Sequence, residues 1–233
     1  MCGICGIAVA RGGPQISEGI LRKMNASISH RGPDEDGFYV NEKVGLASRR
    51  LSIIDLTSGT QPISNEDGSI RIVFNGEIYN YRELRDYLEK HGHLFRTQSD
   101  TEAILHLYEE FGTDCLQHLD GIFAFAIWNE NKQELLLARD RMGIKPMYYT
   151  HLPDWQFIFG SEMKSILTNP AVERKIDLIS LNEYLSYEYV PTPRTIIRNV
   201  WRLEAGDFLI TQEAKPPGRL RKELHAFDGI GRK

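Results

Sequence analysis

The sequence predicts an α+β fold, with a two-layer sheet core and helices packed outside it. Three observations carry that reading. The most apolar run, Gly121-Ile-Phe-Ala-Phe-Ala-Ile-Trp128, suits a buried strand. Strand-like segments in the second half follow one another at hairpin spacing, Gly121–Trp128 with Glu134–Arg139 and Pro146–Tyr149 with Gln156–Phe159. Helical periodicity is confined to a few separated stretches, so the chain does not alternate βαβ.

Gly6–Ala10 reads as the first strand, with small and β-branched residues suited to burial on both faces. Arg11-Gly-Gly-Pro14 breaks it. Ser17 or Glu18 opens a helix whose Ile20, Leu21, Met24 and Ile28 share a face. A polar loop over 29–37 leads to strands at Phe38–Val40, Val44–Leu51 and Ile70–Phe74. Asn80 is a candidate cap for a helix running to Gly92. Ser99 or Asp100 opens the next helix, with Ala103, Ile104, Leu107, Tyr108 and Phe111 in helical spacing and Gly112 as its stop. After the hairpins come short helices at Glu162–Leu167 and Ile179–Tyr187, then a last strand over Trp201–Ile210. From Glu213 the chain turns basic and Pro/Gly-containing, so the expected organisation is one domain over 1–212 and a linker or frayed tail over 213–233.

The 233 residues include 28 basic and 32 acidic side chains, a net charge of −4, which gives no support for bulk nucleic-acid binding. With 41% apolar and 26% charged residues the composition excludes a low-complexity or wholly disordered chain. No apolar stretch approaches the roughly 18–20 residues of a membrane span. The N-terminus lacks the basic region of a secretory signal. Three cysteines, two of them at the extreme terminus, do not make a disulfide framework, and a reducing cytoplasm is the simplest reading.

Cys2 has a special option. Once Met1 is removed, it carries both a thiol and a free α-amine with a pKa near 7.7–8.0. That amine can take the thiol proton and return it to a leaving group, with no histidine required. Cys2-Gly-Ile-Cys5 is also formally a C-x-x-C, but a redox motif would follow a strand and open a helix, whereas this one runs into a strand. A zinc site would need two more ligands at metal spacing; His91 and His93 are available, yet no second C-x-x-C or H-x-x-x-H exists, so no metal is expected.

The run Met1-Cys-Gly-Ile-x-Gly6 resembles the start of class II glutamine amidotransferases. Further blocks resemble asparagine synthetases specifically. They are His30-Arg-Gly-Pro-Asp34, Arg50-Leu-Ser-Ile-Ile-Asp55, Gln61-Pro62, Asn75-Gly-Glu-Ile-Tyr-Asn80, Ser99-Asp-Thr-Glu102, Gly121–Trp128, Arg139-Asp-Arg-Met-Gly-Ile-Lys-Pro146 and Gly160-Ser-Glu162. The blocks are collinear over about residues 1–210. The resemblance implies a four-layer αββα Ntn-hydrolase sandwich of two antiparallel sheets flanked by helices.

It also implies roles. Cys2 is the expected nucleophile, and Asn75 and Gly76 the oxyanion hole, one through a side-chain N–H and the other through a backbone N–H. Arg50 suits the α-carboxylate of L-glutamine, Asp100 its ammonium, with Glu77 assisting and the backbone of Ile53 and Ile54 completing the pocket. Taken alone, Asn75-Gly76 is an ordinary turn and Asp100 a helix cap. The Arg31–Asp34 loop is expected over the bound glutamine, and Cys5 is assigned to packing.

The expected activity is glutamine hydrolysis to glutamate and ammonia. Expected partners are glutamine and a synthetase domain or subunit that accepts the ammonia; the resemblance leaves a homodimer open. The Ser-Gly-Gly-x-Asp-Ser motif of an ATP-pyrophosphatase domain is absent, so no cofactor is expected in this chain, and ATP and magnesium would belong to the missing domain. The alternatives are a different N-terminal-cysteine amidohydrolase and an inactive glutamine-binding module.

Overall fold

The computed structural model describes residues 2–10, 12–51 and 59–212. The segment from Glu213 onward, and with it the expected tail, lies outside the described residues. One sheet holds, edge to edge, Val200–Arg202 (β10), Tyr148–His151 (β8), Gln156–Gly160 (β9), Gly3–Val9 (β1), Val44–Arg50 (β3) and Glu35–Val40 (β2). The other holds Phe208–Gln212 (β11), Glu134–Arg139 (β7), Gly121–Asn129 (β6), Ile70–Ile78 (β5) and Ile63–Ser64 (β4). All these pairings are antiparallel. The helices are Glu18–Ser27 (α1), Tyr81–Lys90 (α2), Asp100–Phe111 (α3), Met163–Leu167 (α4) and Leu178–Tyr187 (α5).

Three apolar layers hold the stack together. Cys5, Ile7 and Val9 of β1 pack with Leu21, Met24 and Ile166 from α1 and α4. Ile4 and Ala8 point the other way, against Val73, Ala124, Ala126 and Leu137 of the second sheet. Ile72, Phe74, Phe123 and Phe125 then face Leu84, Leu88, Ile104 and Leu107 of α2 and α3. The order is therefore α, β, β, α, and the apolar run at the N-terminus is explained by a strand buried on both faces. Cys5 is fully buried, in the packing role expected of it.

Several elements differ from the sequence reading, among them β1, which begins at Gly3 rather than Gly6. β2 begins at Glu35 rather than Phe38, because an edge strand tolerates polar residues on its open face and Glu35 pairs with Arg50 across the ladder. The two-residue β4 is too short to leave a period. β5 runs on to Ile78, so Asn75-Gly76 lies inside a strand and is not a turn. Asn80 does not cap α2 with its side chain; its Nδ2 donates to the His118 carbonyl at 2.9 Å and its Oδ1 accepts from the Asp120 N–H at 3.1 Å. The single strand expected over Trp201–Ile210 is two. The chain turns at Gly206, where φ is +70°, and crosses from β10 in one sheet to β11 in the other.

Gly6 lies at the middle of β1. A Cβ there would sit 2.4 Å from the Phe159 ring and 2.6 Å from the Gly45 carbonyl oxygen. Gly6→Val is therefore expected to destabilise the domain by about 3 kcal/mol through overpacking. A urea midpoint equal to wild type would show that the layers can part to accept the side chain.

Candidate active site

Cys2, Arg50, Gly76, Glu77 and Asp100, from four separate segments, line one cleft with Leu51, Gln61, Phe74, Ser99 and Thr101. The cleft encloses about 30 Å³, room for a water molecule or two. A groove of about 560 Å³ near α5, lined by Tyr148, Met163, Tyr184 and Tyr189 among others, shares no residue with it.

Cys2 directly precedes β1, in phase with Ile4 and Ala8, which face the second sheet. Its carbonyl accepts from Arg31 Nε at 3.0 Å, and Arg31 Nη1 in turn donates to Glu162 Oε1 at 3.1 Å. His30 Nε2 meets the same carboxylate oxygen at 2.8 Å. The His30–Arg31 stretch therefore anchors the Cys2 backbone. Cys2 Sγ lies 3.7 Å from the Leu51 carbonyl. Burial pushes the thiol above its ordinary pKa; the positive charge of Arg50 opposes this and Glu77 reinforces it.

Arg50 ends β3, beside the Gly3–Arg49 register pair that brings the two strand ends together. It is buried, and its Nη1 donates to Glu35 Oε2 at 2.9 Å, a partner the sequence reading did not identify. Arg50 also lines the cleft, so its guanidinium is a fixed positive charge at that wall. Ile53 and Ile54 lie outside the described residues.

The edge of β5 makes the rest of the site. Among the described residues β4 pairs only with Arg71 and Ile72, and no strand covers the edge beyond. N–H groups of alternate residues point to the same edge. That of Phe74 donates to Gln61 Oε1 at 2.7 Å, and that of Ile78 to Asp100 Oδ2 at 3.0 Å. The alternation directs the intervening Gly76 N–H into the same cleft. Glycine at this position is also a packing requirement. A Cβ at Gly76 would sit 2.2 Å from the Ile122 carbonyl oxygen of β6, so the clash is with a neighbouring strand.

Asn75 does not line the cleft. It projects from the opposite face of β5, in phase with Val73, towards the layer between the sheets that Cys2 also faces. Its side chain is buried, and neither Nδ2 nor Oδ1 has a hydrogen-bond partner among the described residues. A buried amide with both atoms unsatisfied costs free energy unless a ligand or water completes it.

Ser99, not Asp100, caps α3: Ser99 Oγ accepts from the Thr101 N–H at 3.1 Å. Asp100 is the first helical residue, free to bind across to β5. Burial raises its pKa to about 6, helped by the negative charge of Glu77 and opposed by the Ile78 N–H. Glu77 is also raised, by burial, with Lys145 pulling it down. Gln61 is the residue the sequence reading placed in a matching block without a role; it lines the cleft, covers the Phe74 N–H, and its Nε2 reaches Thr101 Oγ1 at 3.4 Å.

A family model described as a glutamine amidotransferase domain matches residues 1–219. Glutamine-hydrolysing asparagine synthetase 1 of Bacillus subtilis is 45% identical over 210 residues, which cover 88% of this chain and 33% of that protein. Glutamine-hydrolysing asparagine synthetase 3 of Arabidopsis thaliana is 42% identical over 166 residues, 71% of this chain and 28% of its own length. The chain thus spans about a third of the curated relatives it matches. Among solved structures, glutamine phosphoribosylpyrophosphate amidotransferase from B. subtilis, complexed with ADP and GMP, aligns with a TM-score of 0.65 at 21% identity. It covers 94% of this chain and 49% of that one. A structure described as the allosteric regulatory enzyme of purine biosynthesis aligns with a TM-score of 0.68 at 22% identity and the same coverage. These two likenesses show the fold, the αββα sandwich expected from the sequence.

The Asp100 geometry sets a pH dependence. A folded pKa near 6 against an unfolded value near 3.9 means that the folded state holds the extra proton between them, so stability falls as pH rises through that window and levels off above it. Between pH 5 and 7 the Asp100 contribution should fall by about 1 kcal/mol. Asp100→Asn should lack this component when urea midpoints are compared at the two pH values; an unchanged difference would mean that Asp100 is already ionised at pH 5.

Proposed function

Because the chain belongs to the glutamine amidotransferase domain family, we propose that it hydrolyses the side-chain amide of L-glutamine with Cys2 as the nucleophile. The observation that carries this reading is the convergence of a thiol, a guanidinium and two carboxylates from separate segments on one cleft beside an open strand edge.

In the proposed mechanism Met1 is removed, and the Cys2 α-amine accepts the thiol proton. The thiolate attacks the side-chain amide carbon, and the carbonyl oxygen becomes an oxyanion. The N–H of Gly76 serves that charge from the cleft edge, and the unsatisfied amide of Asn75 serves it from the layer between the sheets that Cys2 also faces. Collapse breaks the C–N bond, and the α-ammonium returns its proton to the departing ammonia. Water, deprotonated by the same amine, then attacks the γ-glutamyl thioester and releases glutamate and the Cys2 thiol. Protein groups and water suffice for these steps. Arg50 binds the substrate's α-carboxylate; Asp100, ionised above pH 6, binds its ammonium with Glu77, and Ile53 and Ile54 offer backbone groups. The Arg31–Asp34 loop covers the bound glutamine.

The ammonia would pass to a synthetase domain or subunit of the kind named in the relatives, making asparagine with ATP and magnesium bound there. The relatives' greater length supports such a partner. So does the apolar surface of α5 and its flank, where Leu178, Ile179, Leu185, Tyr187 and Tyr189 are all exposed. No helix among the described residues is long and apolar enough to cross a membrane. A cytoplasmic setting would keep Cys2, Cys5 and Cys115 reduced.

Cys2→Ala is expected to abolish ammonia release while leaving the circular-dichroism spectrum and unfolding midpoint unchanged; turnover at the wild-type rate would refute the mechanism. Intact-mass analysis should show the active chain beginning at Cys2.

Asn75 and Arg50 should separate kinetically. Asn75→Ala removes a group serving charge that exists only in the transition state, so kcat should fall by about 10²–10³ with little change in KM. Arg50→Ala removes a contact to a carboxylate charged throughout, so KM should rise instead. A near-normal kcat in Asn75→Ala would remove Asn75 from the oxyanion hole.

A further inference from the structure

A second cluster lies behind α3, apart from the cleft. Glu66 follows β4, His93 lies between α2 and α3, and His106 is on α3. Each offers one ligand atom, and the three atoms lie within 4.8 Å of one another. His93 Nδ1 is 3.2 Å from His106 Nδ1. Glu109 Oε2, also on α3, is 2.7 Å from His106 Nδ1 and 3.6 Å from His93 Nδ1. Two imidazole lone pairs facing each other this closely repel unless a positive centre lies between them.

A proton is one such centre and a metal ion the other. With Zn–N bonds of about 2.0–2.1 Å, neighbouring ligands of a tetrahedral zinc are about 3.3 Å apart, close to the separation of the two Nδ1 atoms. The outward ring nitrogens supply a second observation. His93 Nε2 is 2.9 Å from Glu110 Oε1, and His106 Nε2 is 3.7 Å from Glu102 Oε1. Metal-bound histidines characteristically direct their other N–H at a carboxylate, which fixes the tautomer that leaves the inner nitrogen free to ligate. His93 has that arrangement; His106 Nε2 faces the Glu102 carboxylate from beyond hydrogen-bond range, and both His106 and Glu102 are buried.

We infer that Glu66, His93 and His106, with Glu109, form a zinc site. Two imidazoles with carboxylates favour zinc over magnesium or calcium, which prefer oxygen donors alone. The site would join the turn after β4, the α2–α3 segment and α3 in one clip. Glu102 extends it: its carboxylate also accepts the N–H groups of Arg96 and Thr97 at 2.8 and 2.7 Å. Because α3 begins at Asp100, zinc would steady the residue that covers the β5 edge.

The test uses the full chain, stripped with EDTA and desalted, and titrated calorimetrically with zinc alone. The expected result is one zinc per chain, retained in Cys2→Ala, with a higher urea midpoint in zinc and no such rise in magnesium. Cobalt should give tetrahedral ligand-field bands without a thiolate charge-transfer band. Glu66→Gln and His93→Gln, at positions not fully buried, should lose stoichiometric binding while still folding, and Glu110→Gln should weaken it about tenfold. Absence of stoichiometric binding in wild type would mean that the cluster shares a proton only and would overturn the proposal. So would binding that survives both ligand variants, or that disappears in Cys2→Ala. Glutamine turnover is not a readout, so neither result bears on the proposed hydrolysis.

Discussion

Among the described residues β5 has no neighbouring strand on one side beyond Ile72, and buried N–H groups along that side must still find acceptors. Two of them take side chains: Gln61 covers Phe74 and Asp100 covers Ile78. Between these acceptors the edge is left open at Gly76. The same requirement that closes a sheet edge therefore leaves one donor facing a cleft, flanked by groups already fixed in place. Preorganisation follows from this, since the acceptors that hold the neighbouring N–H groups also set the cleft walls.

The other wall depends on the first sheet. β1 is central and buried on both faces, and its start is tied down twice. The Ile4 N–H donates to Ser161 Oγ at 3.0 Å, and the Cys2 carbonyl is held by Arg31. A chain terminus would ordinarily fray. Arg31 is itself fixed by Glu162, just beyond β9, so two segments distant in sequence locate the thiol. The blocks His30–Asp34 and Gly160–Glu162 make structural sense as this brace.

The Arg139–Pro146 block has a comparable scaffold role. Asp140 accepts from the N–H groups of Ile144 and Lys145, both at 2.9 Å, while Arg139 Nε donates back to the Lys145 carbonyl at 2.7 Å. The loop wraps around its own first two side chains. That places Lys145 where it lowers the pKa of Glu77 in the cleft, so a block far from Cys2 in sequence still tunes the site electrostatically.

The local pattern of residues determined the α+β class, the hairpins, the apolar faces of α1 and α3, and the two-sided burial of β1, because each is written within a few residues of chain. The matching blocks also named Cys2, Arg50, Gly76, Glu77 and Asp100, and the cleft brings these together. Tertiary structure decided the rest. Whether Asn75-Gly76 turns or continues as strand depends on β6, which supplies the ladder; whether Trp201–Ile210 is one strand or two depends on which sheet each half meets. Glu35 became the partner of Arg50 through a cross-strand register, and Gln61 an edge cap through a side-chain bond, neither of which has a sequence period. The pair His93 and His106 shows the same limit. Metal-ligand spacing is legible when ligands are neighbours on one helix or turn, but these meet only because α2 and α3 pack together and fold their connecting segment back on itself. Local sequence specifies which faces are apolar and which groups are polar; the distance between two groups far apart in the chain is fixed only when the layers close.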